Sequence, residues 1–368
     1  MRVGICLLTL VPGEMGGSET YARELLHALA EVGEHEYVVL VPDNAHDAAG
    51  GLPTAVAAGY RPLRGRVSRA IARGRAAAFP APLRSRLGDV DAVHYPLTVP
   101  LPRAPRPWAT TLHDVLHLDL PELFPRASRA LRALTYDRAA RRSGIVIVVS
   151  EFVRERAVER LGLDPGRVRA IPHGVDHVRF HPRGEEREPF LLYPARPWPH
   201  KNHARLFEAL AMLRRTHPDL RLVLTGGGHE ATPVPDDVEL RGLVSSEELA
   251  SLYRRAACLV FPSLYEGFGL PPLEAMACGC PVAASRVGGL PETCGDAAVL
   301  FDPWDPEAIA AGVEEALDRA PDLRVRGLAR AAAFTWEETA RRHETVYRDL
   351  TGDGAQTADN RARTSSAA

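Results

Sequence analysis

The sequence predicts an α/β protein built on two parallel sheets. Three observations carry this. The chain has 368 residues, more than one core usually serves, so two domains are expected. Short apolar, β-branched runs alternate with helix-patterned segments along its length. Several of those runs are apolar on consecutive residues, as strands covered on both faces are.

In the first half the strand runs are RVGICLLTLV, EYVVLV, DAVHY, WATTLHDV, GIVIVVS and VRAIPHGV. In the second they are FLLYPA, LRLVLTGG, VELRGLV, CLVFPS, PVAAS and AAVLF. Between the first two lies SETYARELLHALAEVG, whose Tyr21, Leu25, Leu29 and Val32 recur at helical spacing. The polar stretch HPRGEEREP (181–189), with two prolines, separates the two series and is the candidate linker. The expected division is a first domain over 1–180, a second over 190–334 and a helix over 335–350. The polar tail 351–368 is expected to be disordered. The halves share a strand–helix rhythm but no repeated motif.

Composition narrows the function classes. The chain is 45% hydrophobic and 25% charged with a net charge of −2, so the whole molecule has no electrostatic reason to seek nucleic acid. No apolar run is long enough to cross a bilayer, and MRVGICLLTLVPGEMGG reads as a buried first strand rather than a signal peptide. Of five scattered cysteines, Cys6 and Cys258 sit in apolar runs. Cys278 and Cys280 form a C-x-C pair lacking a second pair or a histidine cluster, so no metal site is expected and a reducing cytoplasm is the simplest compartment. From Arg61 to Arg86 stand eight arginines and no acid, interleaved with Leu63, Val67, Ile71 and Phe79. Two readings stay open there: a solvated surface, or a patch meeting anionic lipid at the inner face of a membrane or a phosphorylated acceptor.

The chemistry concentrates in YEGFGLPPLEAMACGCPV, which follows the CLVFPS strand. Glu266 and Glu274 are held apart by Gly267, Phe268, Gly269, Leu270 and two prolines. Pro271 and Pro272 suit a helix entry, where a missing N–H costs little. The first helical N–H groups can hold phosphate oxygens, and ligands of open α/β sheets bind beyond the carboxyl ends of strands. A carboxylate at Glu274 is then placed for ribose hydroxyls, while Glu266 faces what the phosphates carry. Alternatively, Glu274 serves its own helix and Glu266 is solvated.

Other strand ends add to this. YPARPWPHKN puts Arg196 and Lys201 in a proline-stiffened loop, two cations that can neutralise a diphosphate. LVLTGGGHE ends in three glycines from Gly226, a weak signal alone. VPGEMGGSETYA sets Gly16 and Gly17 between a strand and a helix that Ser18 is placed to cap. It is not G-x-G-x-x-G; Asp43 after EYVVLV keeps only a remote nicotinamide reading open. His113-Asp114 follows the WATTL strand. The D-x-D spelling at Asp89-Val90-Asp91 precedes a strand and reads as a surface turn.

Together these segments resemble the GT-B fold retaining glycosyltransferases of family 4 (group 1), in motif style those of bacterial O-antigen-type mannosyltransferases. EGFGLPPLE matches the family's E-x7-E motif. Its H-D, P-N-G-V-D and R-x4-K motifs correspond to His113-Asp114, Pro172-His173-Gly174-Val175-Asp176 and Arg196 to Lys201, with His173 replacing the Asn and Ala195 the Gly before the Arg. The resemblance implies two Rossmann-like domains with parallel sheets facing a central cleft, acceptor on the N-terminal side and nucleotide sugar on the C-terminal. The helix TWEETARRHETVYRDL would cross back to the N-terminal domain.

It also implies transfer of a mannosyl or glucosyl group from a nucleotide-diphosphate sugar to a saccharide, lipid-linked or small-molecule acceptor, in polysaccharide biosynthesis, with no cofactor or metal. In that scheme Glu274 holds the ribose, Arg196 and Lys201 the diphosphate, and Glu266 the sugar hydroxyls. Gly16 and Gly17 meet phosphate or sugar, Gly226 and residues 267–270 line the donor, and His113 stands by the reacting carbon. The rival readings are a sugar-nucleotide epimerase on the same fold and a non-catalytic sugar-nucleotide-binding protein.

Overall fold

The computed structural model describes residues 1–62, 74, 80–229, 234–235 and 237–352. Arg64, Arg66, Arg69, Arg73 and Arg75 of the arginine-rich stretch, and the tail from residue 353, lie outside the described residues. The chain divides into two compact units: Met1–His173 with the segment from Trp336 onward, and Gly174–Thr335. The polar stretch 181–189 belongs to the second unit and runs into its first strand.

Among the described residues, the first unit holds a parallel sheet of seven strands: β1 (Arg2–Cys6), β2 (Glu36–Pro42), β3 (Thr54–Ala57), β4 (Ala92–Tyr95), β5 (Trp108–Leu112), β6 (Ile145–Val148) and β7 (Val168–Ala170). Their order is β3-β2-β1-β4-β5-β6-β7. The second unit holds six: β8 (Glu188–Pro194), β9 (Arg221–Thr225), β10 (Val238–Leu240), β11 (Ala256–Phe261), β12 (Val282–Ser285) and β13 (Val299–Phe301), ordered β10-β9-β8-β11-β12-β13. All pairs are parallel. Each sheet therefore reverses direction beside its first strand, β1 against β4 and β8 against β11. Loops leaving such a pair splay apart and open a crevice at the carboxyl edge.

Consecutive apolar residues follow from this layering. In β6 all four residues of IVIV are buried, as they must be when helices cover both faces. The helix Gly17–Val32 turns Tyr21, Leu25, Leu26 and Leu29 onto β1 and β2. Its N-cap is Gly16, with no side-chain cap bond. Ser18 lies inside the helix rather than capping it, because helix begins one residue earlier than the serine pattern suggests.

The last helix, Trp336–Thr351, buries Trp336, Thr339, Ala340, His343, Glu344, Val346 and Tyr347, a stripe at i, i+3, i+4, i+7 and i+8 spacing. That stripe packs into the first unit's core beside Tyr21 and Leu25. Buried Glu344 accepts from Tyr37 Oη at 2.7 Å and from the Glu34 backbone N–H at 2.5 Å, fixing the helix to β2. All five cysteines are buried and free, and burial raises the thiol of Cys6 to about 12.

Candidate active site

In the second unit the loops after β8, β9 and β11 meet at the switch point. Lys201 ends the 3-10 turn Pro199–Lys201. Its Nζ lies 2.5 Å from Glu266 Oε1, both side chains about 85% buried at 14% and 15% exposure, and 5.3 Å from the Phe261 ring centre. The turn is locked from below. Asn202 adopts a left-handed φ of 61° and donates through Nδ2 to Pro262 O at 3.0 Å and Pro303 O at 2.7 Å. Tyr193 Oη donates to Lys201 O at 2.8 Å, and Leu264 N–H to His200 O at 2.7 Å. Lys201 is thereby anchored on β8 and β11 at once, and an ammonium with three donors keeps two for a ligand.

Arg196 is half-buried in the loop that follows β8. The glycine run after β9 supports it. Gly226 has φ +115° and stands so close that a Cβ would lie 3.1 Å from Ala195 C and O and 3.2 Å from Arg196 N. The close approach at Gly226 is thus to the arginine's own turn. His229, buried, bonds Ala195 O through Nε2 at 2.8 Å. Beside it His203 is buried and pushed down to about 4 by burial. Sequence reasoning passed over both histidines, whose signal was only their place after a glycine run and a proline loop.

Glu266 is fixed through its backbone. Gly289 N–H donates to Glu266 O at 2.9 Å, and Gly288 (φ +61°) leaves no room for a Cβ, which would fall 2.3 Å from that oxygen. Gly269 caps the helix Leu270–Ala277. Phe268 and Leu270 are buried, with Phe268 edge-on to Phe334 at 6.0 Å and its carbonyl accepting from Thr293 Oγ1 at 2.7 Å. Glu274, buried in the first turns of that helix, accepts from Tyr253 Oη at 3.0 Å. Neither the solvated reading of Glu266 nor a capping role for Glu274 matches this geometry.

In the first unit, Gly16 (φ +56°) and Gly17 have no heavy atom within 4 Å of where a Cβ would sit. Unlike Gly226 they face open space, as a ligand-approach turn requires. Glu19 holds this loop by accepting from Gly13 N–H at 2.8 Å. His113 Nε2 bonds Pro96 O at 2.9 Å. A carbonyl only accepts, so Nε2 carries the proton. Burial also lowers the ring's pKa below its ordinary value, leaving a neutral imidazole whose Nδ1 is an acceptor. Asp114 Oδ1 accepts from Leu116 N–H at 3.0 Å and starts the next short helix.

A buried polar chain stands behind His113. Tyr21 packs edge-on to it at 5.0 Å and stacks on His173 at 4.9 Å, with Trp336 stacked beyond His173 at 5.8 Å. The proton order of this chain follows from one end. His343 Nδ1 donates to Thr339 O at 2.7 Å, so Nε2 accepts from Tyr21 Oη at 2.8 Å. Tyr21 Oη must then accept from Thr111 Oγ1 at 2.8 Å, Thr111 from His94 Nε2 at 2.9 Å, and His94 Nδ1 from Tyr347 Oη at 2.9 Å. Burial drives His343 down to about 4 and His94 well below its ordinary range, so both are neutral, as this order demands. The sequence reading had placed Tyr21 on an apolar stripe and missed its hydroxyl.

In the arginine-rich stretch, Arg61 pairs with Asp43 at 2.9 Å and Arg86 donates to Val56 O at 2.7 Å. Asp91 accepts from Arg2 N–H at 2.7 Å and Asp89 pairs with Arg106 at 2.6 Å, ahead of β4. Among the described residues no group of three or more His, Cys, Asp or Glu is placed to hold a metal, and no helix is long and apolar enough to cross a membrane.

Comparison with known proteins decides the family. The model described as "Glycosyl transferases group 1" matches residues 176–331, and that described as "Glycosyltransferase Family 4" matches residues 15–179. The O-antigen chain mannosyltransferase B of Escherichia coli is 31% identical over 268 residues, 66% of this chain and 70% of that protein. The chain belongs to the group 1, family 4 glycosyltransferases. The glycosyltransferase is also 33% identical to an MMP α-(1→4)-mannosyltransferase of Mycolicibacterium hassiacum over 226 residues, 57% of this chain and 55% of that one, so the match spans about half of that relative. A sucrose-phosphate synthase from Thermosynechococcus elongatus has the same fold, with a TM-score of 0.78 over 96% of this chain and all of that one at 24% identity. With two Rossmann-like parallel sheets, that fold is GT-B.

Proposed function

We propose that this glycosyltransferase moves a mannosyl or glucosyl group from a nucleotide-diphosphate sugar to a saccharide, lipid-linked or small-molecule acceptor, with retention of configuration and without a metal. One observation supports it most: the Lys201–Glu266 pair at 2.5 Å, set beside the Arg196 turn and one helix entry away from buried Glu274.

Breaking a sugar–phosphate bond loads negative charge onto a departing nucleoside diphosphate. Arg196 and Lys201, held rigidly before the ligand arrives, stabilise that charge without reorganising. Glu266 keeps Oε2 for sugar hydroxyls while Oε1 steadies the ammonium. Glu274 accepts from ribose hydroxyls with its carboxylate steadied by Tyr253. The neutral Nδ1 of His113 accepts from a sugar hydroxyl and adds no positive charge near a carbon that becomes cationic. Retention follows if the acceptor attacks on the leaving group's own face, its proton passing to the departing phosphate oxygen. The reading includes a cytoplasmic setting, with the Arg61–Arg86 stretch either a solvated surface or a contact with the inner face of a membrane.

GDP-, UDP- and ADP-sugars compared by thermal shift test the donor, since a bound ligand raises the melting point by mass action. Acceptor-dependent transfer, with the product's anomeric configuration read by NMR, tests the reaction. A product of inverted configuration would refute the front-face scheme.

A further inference from the structure

The first unit carries a cavity that none of the motifs above reaches. It has a volume of about 440 Å³ and lies between the helices Leu116–Asp119 and Arg126–Arg132. Its polar wall is His117, Arg126 and Arg129, and its apolar wall includes Leu118, Pro121 and Ala133.

Two arginines unpaired among the described residues point to an anion, and a buried acceptor to a hydroxyl beside it. Arg126 and Arg129 are three residues apart on one helix, hence on one face, and neither forms an ion pair among the described residues. The third arginine of that helix, Arg132, is occupied over the rings of Phe124 and Tyr136 at 4.9 and 5.1 Å. His117 is only 2% exposed. Its Nε2 bonds Asp137 Oδ1 at 2.9 Å, while Nδ1, also buried, has no partner among the described residues. Buried Arg129 Nε is likewise unmatched there.

The nearby acids are spent or turned away. Asp137 holds His117, Asp119 is bound by Arg156 and Arg160, and Glu122 is exposed. A buried donor without a partner costs free energy that a ligand oxygen can recover. Two guanidinium groups match the terminal oxygens of a phosphate ester, which they grip in pairs, while His117 Nδ1, an acceptor because Nε2 donates to Asp137, takes a ligand hydroxyl. The volume lies in the range of small-molecule sites and leaves room for an organic group beside the phosphate.

We propose that this cavity binds an organic phosphate ester, its phosphate held by Arg126 and Arg129 and a neighbouring hydroxyl donating to His117 Nδ1. The donor's diphosphate is assigned to Arg196 and Lys201, so this phosphate belongs to a different molecule. Its identification with the acceptor rests on the proposed function; the binding itself does not. Leu131 and Leu134, 55% and 65% exposed nearby, make a lipid phosphate as suitable a source as a free ester.

The test uses the full chain with two probes: mannose 6-phosphate by calorimetry, and phosphatidylglycerol vesicles by cosedimentation with phosphatidylcholine vesicles as control. The expected result is binding of at least one probe, weakened at least tenfold in Arg126→Ala/Arg129→Ala, with nucleotide release from the donor in the absence of acceptor unchanged. Binding of the sugar phosphate alone supports a free ester, and binding of the anionic vesicles alone supports a lipid headgroup. Failure of the wild type to bind either probe, or equal binding by the variant, overturns the proposal. Should Lys201 variants turn out active while this cavity still binds, the donor scheme fails and the phosphate site stands.

Discussion

Replacing Lys201 with methionine keeps an unbranched stem of similar length and removes only the charge. Two losses follow, and they can be separated. Glu266, 15% exposed, is left without its cation. Full burial would make such a loss worth about 3–5 kcal/mol; the remaining solvent access reduces it to about 2–3 kcal/mol. For a domain of this size that lowers Tm by roughly 4–12 °C. The leaving diphosphate loses two charge-assisted hydrogen bonds of about 1.5–3 kcal/mol each, so kcat/KM should drop about 10²–10⁴-fold. Nucleotide release, followed continuously, measures this beside a melting curve. In Lys201→Met/Glu266→Gln the carboxylate is also neutralised, so Tm should recover most of its loss while activity does not. A Lys201→Met enzyme within threefold of wild type would refute the leaving-group role, and recovery of activity in the double variant would show that the pair matters only for stability.

The remaining expectations are shorter. Transfer persists in excess EDTA; loss that Mg²⁺ restores would count against the metal-free scheme. Gly226→Ala pushes a methyl against Ala195 and Arg196 N at 3.1–3.2 Å and should cut kcat/KM at least tenfold, checked by steady-state kinetics. His343 is held down to about 4 against an ordinary 6.5, so between those values the unfolded chain binds a proton that the folded one excludes. Stability therefore falls as pH drops through that window, by about 3 kcal/mol in all from this group; urea unfolding of His343→Gln should show a shallower pH slope than wild type. Tyr21→Phe strands Thr111 and His343 and should cost about 1–3 kcal/mol, read from the same unfolding curves.

Much of the architecture could be read from local pattern. IVIV and FLLYP announce strands buried on both faces, and the strand–helix alternation leaves little choice but parallel sheets. β3 escaped because TAVA is short and alanine-rich, so that even with the Gly50-Gly51 turn before it its composition does not mark a strand. At the site, the glycines and prolines around Glu266 and Glu274 betray a stiff loop. The partner of Glu266 stands 65 residues earlier at Lys201, and only the adjacency of β8 and β11 brings them together. Gly226 shows the limit of motif reading: the sequence says that backbone comes close, and the fold says to which backbone. Tyr21 shows another, since a tyrosine on an apolar stripe announces burial, while its hydroxyl partners come from β5 and the last helix.

The first unit is discontinuous: its final helix is made only after the whole of the second unit. Tyr21, His94 and Tyr37 find their partners on residues 343, 347 and 344. On the ribosome, then, the first unit must wait with these polar groups unmatched until synthesis reaches the chain's last stretch, whereas Gly174–Thr335 can close its own sheet beforehand. The segment translated first is thus among the last to be completed, and a truncation just before Trp336 should spare the later-made unit while leaving the earlier one without its closing piece.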